Sequence, residues 1–323
     1  MLTVLVRGEG DQFQPAEATD LPHLVALPDR LVWVDLEDPT DDEVRVLSGV
    51  FHFHQLTIDD CLNPYVDPPK ADDYGAYLFL VMQGIDYSTT EERVQTTELD
   101  IYLGRSYVVT FHRRPLAAVK DMRDRCRRAA PLPARGADWL AHALLDTLVD
   151  HLLPVVETLD ERISDLEDEA LRHPDPALVP RLLALKRSVL RLRRLAAPQR
   201  DVINRLSRGD FAHLLGDDTR MHFRDIYDHL VRLEDLVETL RDLGDSVIST
   251  YLATVNNRMN DIMKTLSIVG TVFLPLTLVA SIFGTNFVPT YEGAGWWGFG
   301  GMVAVFLVIA AGLFLWFHRR RWL

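Results

Sequence analysis

The sequence has only two cysteines, Cys61 and Cys126, and no CxxC pair. That excludes a disulfide framework and a zinc knuckle, leaving reduced thiols in a cytoplasmic part. Basic charge is also scarce. Lys and Arg number 34 against 47 Asp and Glu, giving a formal net charge of -13 at pH 7. A nucleic-acid binder normally presents a basic face, so no nucleic-acid partner is expected. No nucleophile–base pair, phosphate loop or catalytic metal cluster stands out, and no enzymatic activity is expected. The opening MLTVLVRGEGD lacks the basic start and long apolar core of a signal peptide. The N-terminal part is therefore expected not to be exported.

Charge vanishes altogether near the C-terminus. From Thr265 to Phe283 no residue is charged. At about 1.5 Å per residue this helix would reach roughly 28 Å, close to the thickness of a bilayer core. A second uncharged stretch runs from Gly298 to Phe317. Between them, GTNFVPTYEGAGWW (284–297) carries Glu292 as its one charge, with Tyr291, Trp296 and Trp297 at interface positions. Arg258 and Lys264 precede the first stretch, and His318, Arg319, Arg320 and Arg321 follow the second. The intervening loop has no Lys or Arg. The positive-inside rule then predicts two spans in the cell (inner) membrane, both termini cytoplasmic and the loop outside.

Residues 1–135 read as a cytoplasmic mixed α/β domain. Strand-like runs are 2–6, 31–36, 76–87, 98–104 and 107–112. Helical stretches are expected at 40–52, capped by Thr40, at 55–62, and at 115–129. Mixed order and short links suggest one sheet with helices packed on it. From 136 to 218 a helical hairpin is expected, broken at HPDP (173–176). Its first helix is acidic near its end and its second is basic, so the two faces could pair.

The stretch from 219 onward is the most regular. Apolar residues recur at Phe223, Ile226, Leu230, Leu233, Val237, Leu240, Leu243, Val247, Tyr251, Val255 and Met259. Steps of three and four predict one helix. Residues 219–264 form a stalk that passes without a break into the span at 265–283, roughly 80–100 Å in all. Continued into the span, Asn260, Met263, Ser267, Gly270, Leu274, Thr277 and Ser281 keep the same spacing and share one face. That face is small or weakly polar. It suits close helix packing or the wall of a pore. Two spans per chain cannot easily enclose a pore, so pore lining would require a symmetric homo-oligomer with the first span inside.

The residues now described resemble the CorA family of magnesium transporters, the two-span GxN family. The resemblance rests on NRMNDIMKTLSIVGTVFLPLTLVASIFGTNF (257–287), on RRRWL (319–323), and on WVDLEDPTDDE (33–43), HQLTIDDCLNP (54–64), PKADDYGAYLFLVM (69–82), ELDIYLGRSYVVTFH (98–112), ALLDTLVDH (143–151) and FRDIYDHL (223–230). It covers nearly the whole chain. It implies an α+β membrane protein: an N-terminal αβα sandwich, a long stalk, two C-terminal transmembrane helices (265–283 pore-lining, 298–317 outer) and a basic tail (318–323), assembled as a funnel-shaped homopentamer. Carried over by position, Asn260, Met263, Leu266, Gly270, Leu274 and Thr277 fall on pore positions, with Met263 and Leu266 at a hydrophobic gate. Gly284, Thr285 and Asn286 match the signature at the outer mouth, where Asn286 would accept hydrogen bonds from a hydrated ion. Asp60 and Asp225 match an intersubunit regulatory metal site, with Asp59 and Asp146 nearby.

The implied function is Mg²⁺ influx, with Co²⁺ or Ni²⁺ also possible cargo, gated by cytoplasmic Mg²⁺ bound between subunits. The family usually has Met where Thr285 stands, and branches with other residues there include zinc transporters. A zinc or general divalent transporter, proton-coupled or not, is thus an alternative. A non-conducting membrane metal sensor or scaffold is another.

Overall fold

The computed structural model describes residues 1–8, 12–27, 30–88, 93–128, 136–284 and 295–320. The chain divides into two compact units, Met1–Ile248 and Ser249–Leu323.

The first unit is built on a seven-stranded sheet. In chain order the strands are β1 (Leu2–Arg7), β2 (Phe13–Ala16), β3 (Val32–Glu37), β4 (Lys70–Asp73), β5 (Tyr77–Ser88), β6 (Arg93–Gly104) and β7 (Tyr107–His112). Their order in space is β2-β1-β3-β7-β6-β5-β4. Only β3 and β7 run parallel, with Val34 opposite Val109; the other pairs are antiparallel. The long runs at 76–87 and 98–104 become the paired strands β5 and β6. The edge strands β2 and β4 escape the sequence pattern because they are four residues long, and β2 contains Pro15.

Alternation along the strands gives the sheet two buried faces. On one, Val32, Val34, Phe79, Val81, Tyr102, Val109 and Phe111 join a core with Leu21, Leu47, Phe51, Phe53 and Ile58. These come from α1 (Leu21–Val25), α2 (Asp41–Gly49), α3 (Gln55–Leu62) and the turn between α2 and α3. Helix α2 starts where expected. Thr40 and Glu43 form a capping box, and Glu43 also accepts from Leu2 N at 2.8 Å, tying the helix to β1. On the other face, Leu78, Leu80, Met82, Leu99, Ile101 and Leu103 are fully buried. They lie against α5 (Ala137–Asp150), α6 (Leu152–Arg172) and α7 (Leu178–Arg208), while α4 (Ala117–Arg127) packs on β2 and α5. The result is helix, sheet, helix.

Two details differ from expectation. The stretch from 137 to about 171 is two helices, interrupted at His151, whose imidazole lies 3.0 Å from Asp121 of α4. Helix α7 also finds most of its acidic partners elsewhere. Lys186, Arg193 and Arg200, seven apart on one stripe, pair with Asp245, Glu238 and Glu234 of α8 (Asp217–Gly284) at 2.7, 3.1 and 2.5 Å. With α6, Arg181 meets Glu169 at 3.0 Å. The cause is the apolar stripe. Leu185, Val189 and Leu192 of α7 and Leu233, Val237 and Leu240 of α8 are buried, so these flanking charges line the same seam.

Helix α8 is 68 residues long and continuous across the boundary between the units, through Pro275. Asp138 of α5 secures its start, accepting from Thr219 Oγ1 at 2.6 Å and Gly216 N at 3.1 Å. The second unit contains the rest of α8 and α9 (Gly295–Arg319). Many of its large apolar side chains are outward: Leu266, Phe273, Leu274, Leu278, Leu307, Val308 and Leu315 are all more than 60% exposed. A second apolar stretch of membrane-spanning length, within 137–172, is instead more than half buried in the first unit and belongs to its core.

Candidate metal and permeation sites

The acidic residues expected to hold a regulatory cation fall into two groups within the chain. Asp59 and Asp60 lie on α3. Asp59 is exposed and takes a hydrogen bond from Gln55 at 2.8 Å. Asp60 is half-buried, with its Oδ2 2.6 Å from Lys70 Nζ on β4. The same ammonium reaches Asp67 at 3.3 Å. Burial disfavours the Lys70 charge, but the two carboxylates outweigh it and push the pKa up to about 12. Asp60 is thus a carboxylate already supplied with a cation.

The second group lies where α5 meets α8. Asp146, Asp150 and His229 bring ligand atoms within 4.8 Å of one another. Asp225 is one helical turn before His229, its Oδ1 4.0 Å from the imidazole. Burial pushes the Asp146 carboxyl up, and the neighbouring Asp150 adds to this. Asp225, 75% exposed, stays well solvated. Three carboxylates and one imidazole therefore share a small region with no Lys or Arg in ion-pair contact among the described residues. Such a set of oxygen ligands attracts a divalent cation. His229 and Asp150 are additions to the residues singled out from sequence. The i, i+4 spacings Asp146–Asp150 and Asp225–His229 were the available signal.

In the second unit, Asn260, Met263, Leu266, Ser267, Gly270, Leu274, Thr277 and Ser281 all lie on α8. All are exposed except Gly270, which is intermediate. A Cβ placed on Gly270 meets nothing within 4 Å. Packing within this chain therefore gives no reason for glycine there. Gly284 is the last residue of α8. Thr285, Asn286 and Glu292 lie outside the described residues, as does Arg321. Arg319 ends α9, and Arg320 lies over the Trp316 ring at 5.6 Å.

The family model for the CorA-like Mg²⁺ transporter protein matches residues 28–319. The chain belongs to this family. It is 31% identical to the cobalt/magnesium transport protein CorA of Thermotoga maritima, over 97% of this chain and 90% of that protein. YfjQ of Bacillus subtilis is 33% identical over 90% of this chain and 89% of its own. The zinc transport protein ZntB of Yersinia enterocolitica is 26% identical over 94% and 91%. Among solved structures, the CorA magnesium transporter of Methanocaldococcus jannaschii superposes with a TM-score of 0.85, covering 100% of this chain and 99% of that one at 21% identity. That likeness shows the fold: an N-terminal α/β domain followed by a long helix. The family is one of divalent metal-ion transporters, not a catalytic class.

Proposed function

We propose that the chain forms a homopentameric channel that admits Mg²⁺ across the cell (inner) membrane, with both termini cytoplasmic. The observation that carries this reading is the stripe on α8. Small and weakly polar residues face outward at helical spacing, beside Gly270, whose missing side chain no contact within the chain explains. A face of this kind has a use when copies of the helix surround an axis. The two spans are 265–283, lining the pore, and 298–317, outside it. Gly284, Thr285 and Asn286 form the outer mouth, with Glu292 in the same loop. A ring of Asn286 amides would contact Mg²⁺ through its water shell without the over-tight grip of carboxylates. Met263 and Leu266 form the hydrophobic gate.

Regulation follows from the exposed acids. Asp225, with Asp146, Asp150 and His229 beside it, faces Asp60 and Asp59 of a neighbouring copy. Like charges across an interface repel unless a divalent cation bridges them. High cytoplasmic Mg²⁺ holds the closed arrangement, and its loss loosens it. Co²⁺ and Ni²⁺ are further candidate cargoes.

Thr285 and the 26% identity to a zinc transport protein support a second reading, a Zn²⁺ transporter with or without proton coupling. Liposome flux of Mg²⁺, Co²⁺, Ni²⁺ and Zn²⁺, with and without a proton gradient, separates the two. Mg²⁺ flux indifferent to pH supports the first. Zn²⁺ flux driven by the gradient, with little Mg²⁺ flux, replaces it with the second. In either case Asn286→Ala should abolish flux while leaving the oligomer intact. Undiminished flux removes Asn286 from the mouth.

A further inference from the structure

A different pair of carboxylates lies on the sheet itself. Glu98 and Asp100 are two apart on β6 and so share a face, the one covered by α2 and α3. They are within hydrogen-bonding reach of each other. Asp100 is 2% exposed, and its Oδ1 has no hydrogen-bond partner. Both line a cavity of about 180 Å³, together with Cys61, Asn63, Thr96 and Arg113.

The groups facing this pair do not neutralise it. The Lys70 ammonium is held by Asp60 and Asp67. The Arg113 guanidinium donates to the carbonyls of Cys61 and Leu62. Arg114 and His112 also line the cavity, but the His112 Nε2 meets Asp35. One oxygen of Glu98 takes the backbone N–H of Asp67. The Cys61 thiol lies 3.2 Å from the Tyr102 hydroxyl and also hydrogen-bonds the Asp100 carboxyl, leaving Oδ1 unpartnered; burial keeps the thiol protonated, so it brings no positive charge. No Lys, Arg or His forms an ion pair with Glu98 or Asp100 among the described residues. A buried carboxylate without a partner carries a large desolvation cost. Two chemistries relieve it: a proton held on the pair, or a cation.

We propose that Asp100 and Glu98 hold a hydrated divalent cation in this cavity, within a single chain and separate from the Asp225 cluster. The ligand set decides the class of ion. Mg²⁺ and Mn²⁺ are bound through one or two carboxylates and keep several waters. A cavity of this size has room for an ion with several waters. A protonated thiol is a poor ligand for Zn²⁺, so an oxygen-seeking ion is favoured. Burial first, then Asp67 acting on Glu98 and Glu98 acting on Asp100, raise both above the usual carboxylate range. A proton therefore competes with the cation, and occupancy falls as pH falls.

The test counts Mn²⁺ bound to the full-length protein in detergent by electron paramagnetic resonance. The background carries Asp60→Ala and Asp225→Ala, so failure of the proposed regulatory site cannot mimic failure of this one. Asp100→Asn should remove one bound Mn²⁺ per chain. Glu98→Gln should weaken that ion at least tenfold, and the bound ion should be lost on acidification. An unchanged Mn²⁺ count in both variants overturns the proposal. If Asp100→Asn does not fold, Glu98→Gln decides alone, since its partly exposed side chain tolerates the swap.

Discussion

The Lys70 ammonium lies 2.6 Å from Asp60 Oδ2, so the carboxylate expected to bind a regulatory cation already has a charged partner. An ion arriving at Asp60 must compete with Lys70. Removing the lysine should therefore tighten regulation. For Lys70→Gln the Mg²⁺ concentration that half-inhibits flux should fall. The pair is about a third exposed, so solvent screening limits the effect to about 0.5–1 kcal/mol, or roughly two- to fivefold. Liposome flux against internal Mg²⁺ measures it. A rise in the half-inhibitory concentration would mean that Lys70 positions Asp60 for the ion and does not compete with it.

Asp225 makes the opposite case. Among the described residues its one ionic neighbour is a histidine at 4.0 Å. If a cation bridges it to the next copy, Asp225→Ala and Asp60→Ala should each raise flux at high internal Mg²⁺. The double variant should resemble either single one, because both remove one bridge. Flux that stays inhibited in all three variants would place regulation elsewhere.

The stalk and the capped helix α2 were legible in the sequence because both rest on local signals. Apolar residues at steps of three and four run from Phe223 to Met259, all within the 68-residue α8. Thr40 and Glu43 are three apart, as a capping box requires. The interruption at His151 was not legible, since the apolar pattern passes through it and what accompanies it is a tertiary contact with Asp121. The Asp146–Asp150–His229 cluster needed two helices to be packed before its members could be grouped. The same holds for Lys70 and Asp60, ten residues apart on a helix and a strand. Glu98 and Asp100 were visible as alternate residues of a strand. Their burial was not, because acidic residues at alternate positions ordinarily mark a solvated face.

Gly270 separates packing within the chain from pore lining. A side chain there meets nothing within 4 Å, so the chain alone accommodates a larger residue. Gly270→Leu should express and keep its helix. If the α8 stripe surrounds a pore, flux should fall at least about tenfold, about 1.4 kcal/mol on the barrier. Wild-type flux would take Gly270 off the permeation path.

The last prediction concerns pH and the first unit. His112 is buried between two acceptors: its Nδ1 lies 2.7 Å from Arg114 O and its Nε2 3.2 Å from Asp35 Oδ1. A carbonyl and a carboxylate can only accept, so both ring nitrogens must donate and the ring is an imidazolium. Burial opposes that charge, but Asp35 outweighs it and the pKa is raised. Asp35 also takes Thr110 Oγ1 at 2.6 Å and Arg123 at 3.2 Å, and Thr110 in turn accepts from Trp33 Nε1 at 3.1 Å. A folded-state pKa above the unfolded value contributes stability that is complete below the unfolded pKa. It is lost as pH rises through the folded one. The thermal midpoint of the first unit, followed by Trp33 fluorescence, should therefore decline on the alkaline side of about pH 6.5, the ordinary histidine value. His112→Gln should lower the midpoint at acidic pH, by about 1–3 kcal/mol of lost charged hydrogen bonding, and flatten that decline. If the variant keeps the wild-type slope, the titrating group is elsewhere. If its midpoint rises, the imidazolium is a burden in this core, and Thr110 and Arg123 satisfy Asp35 without it.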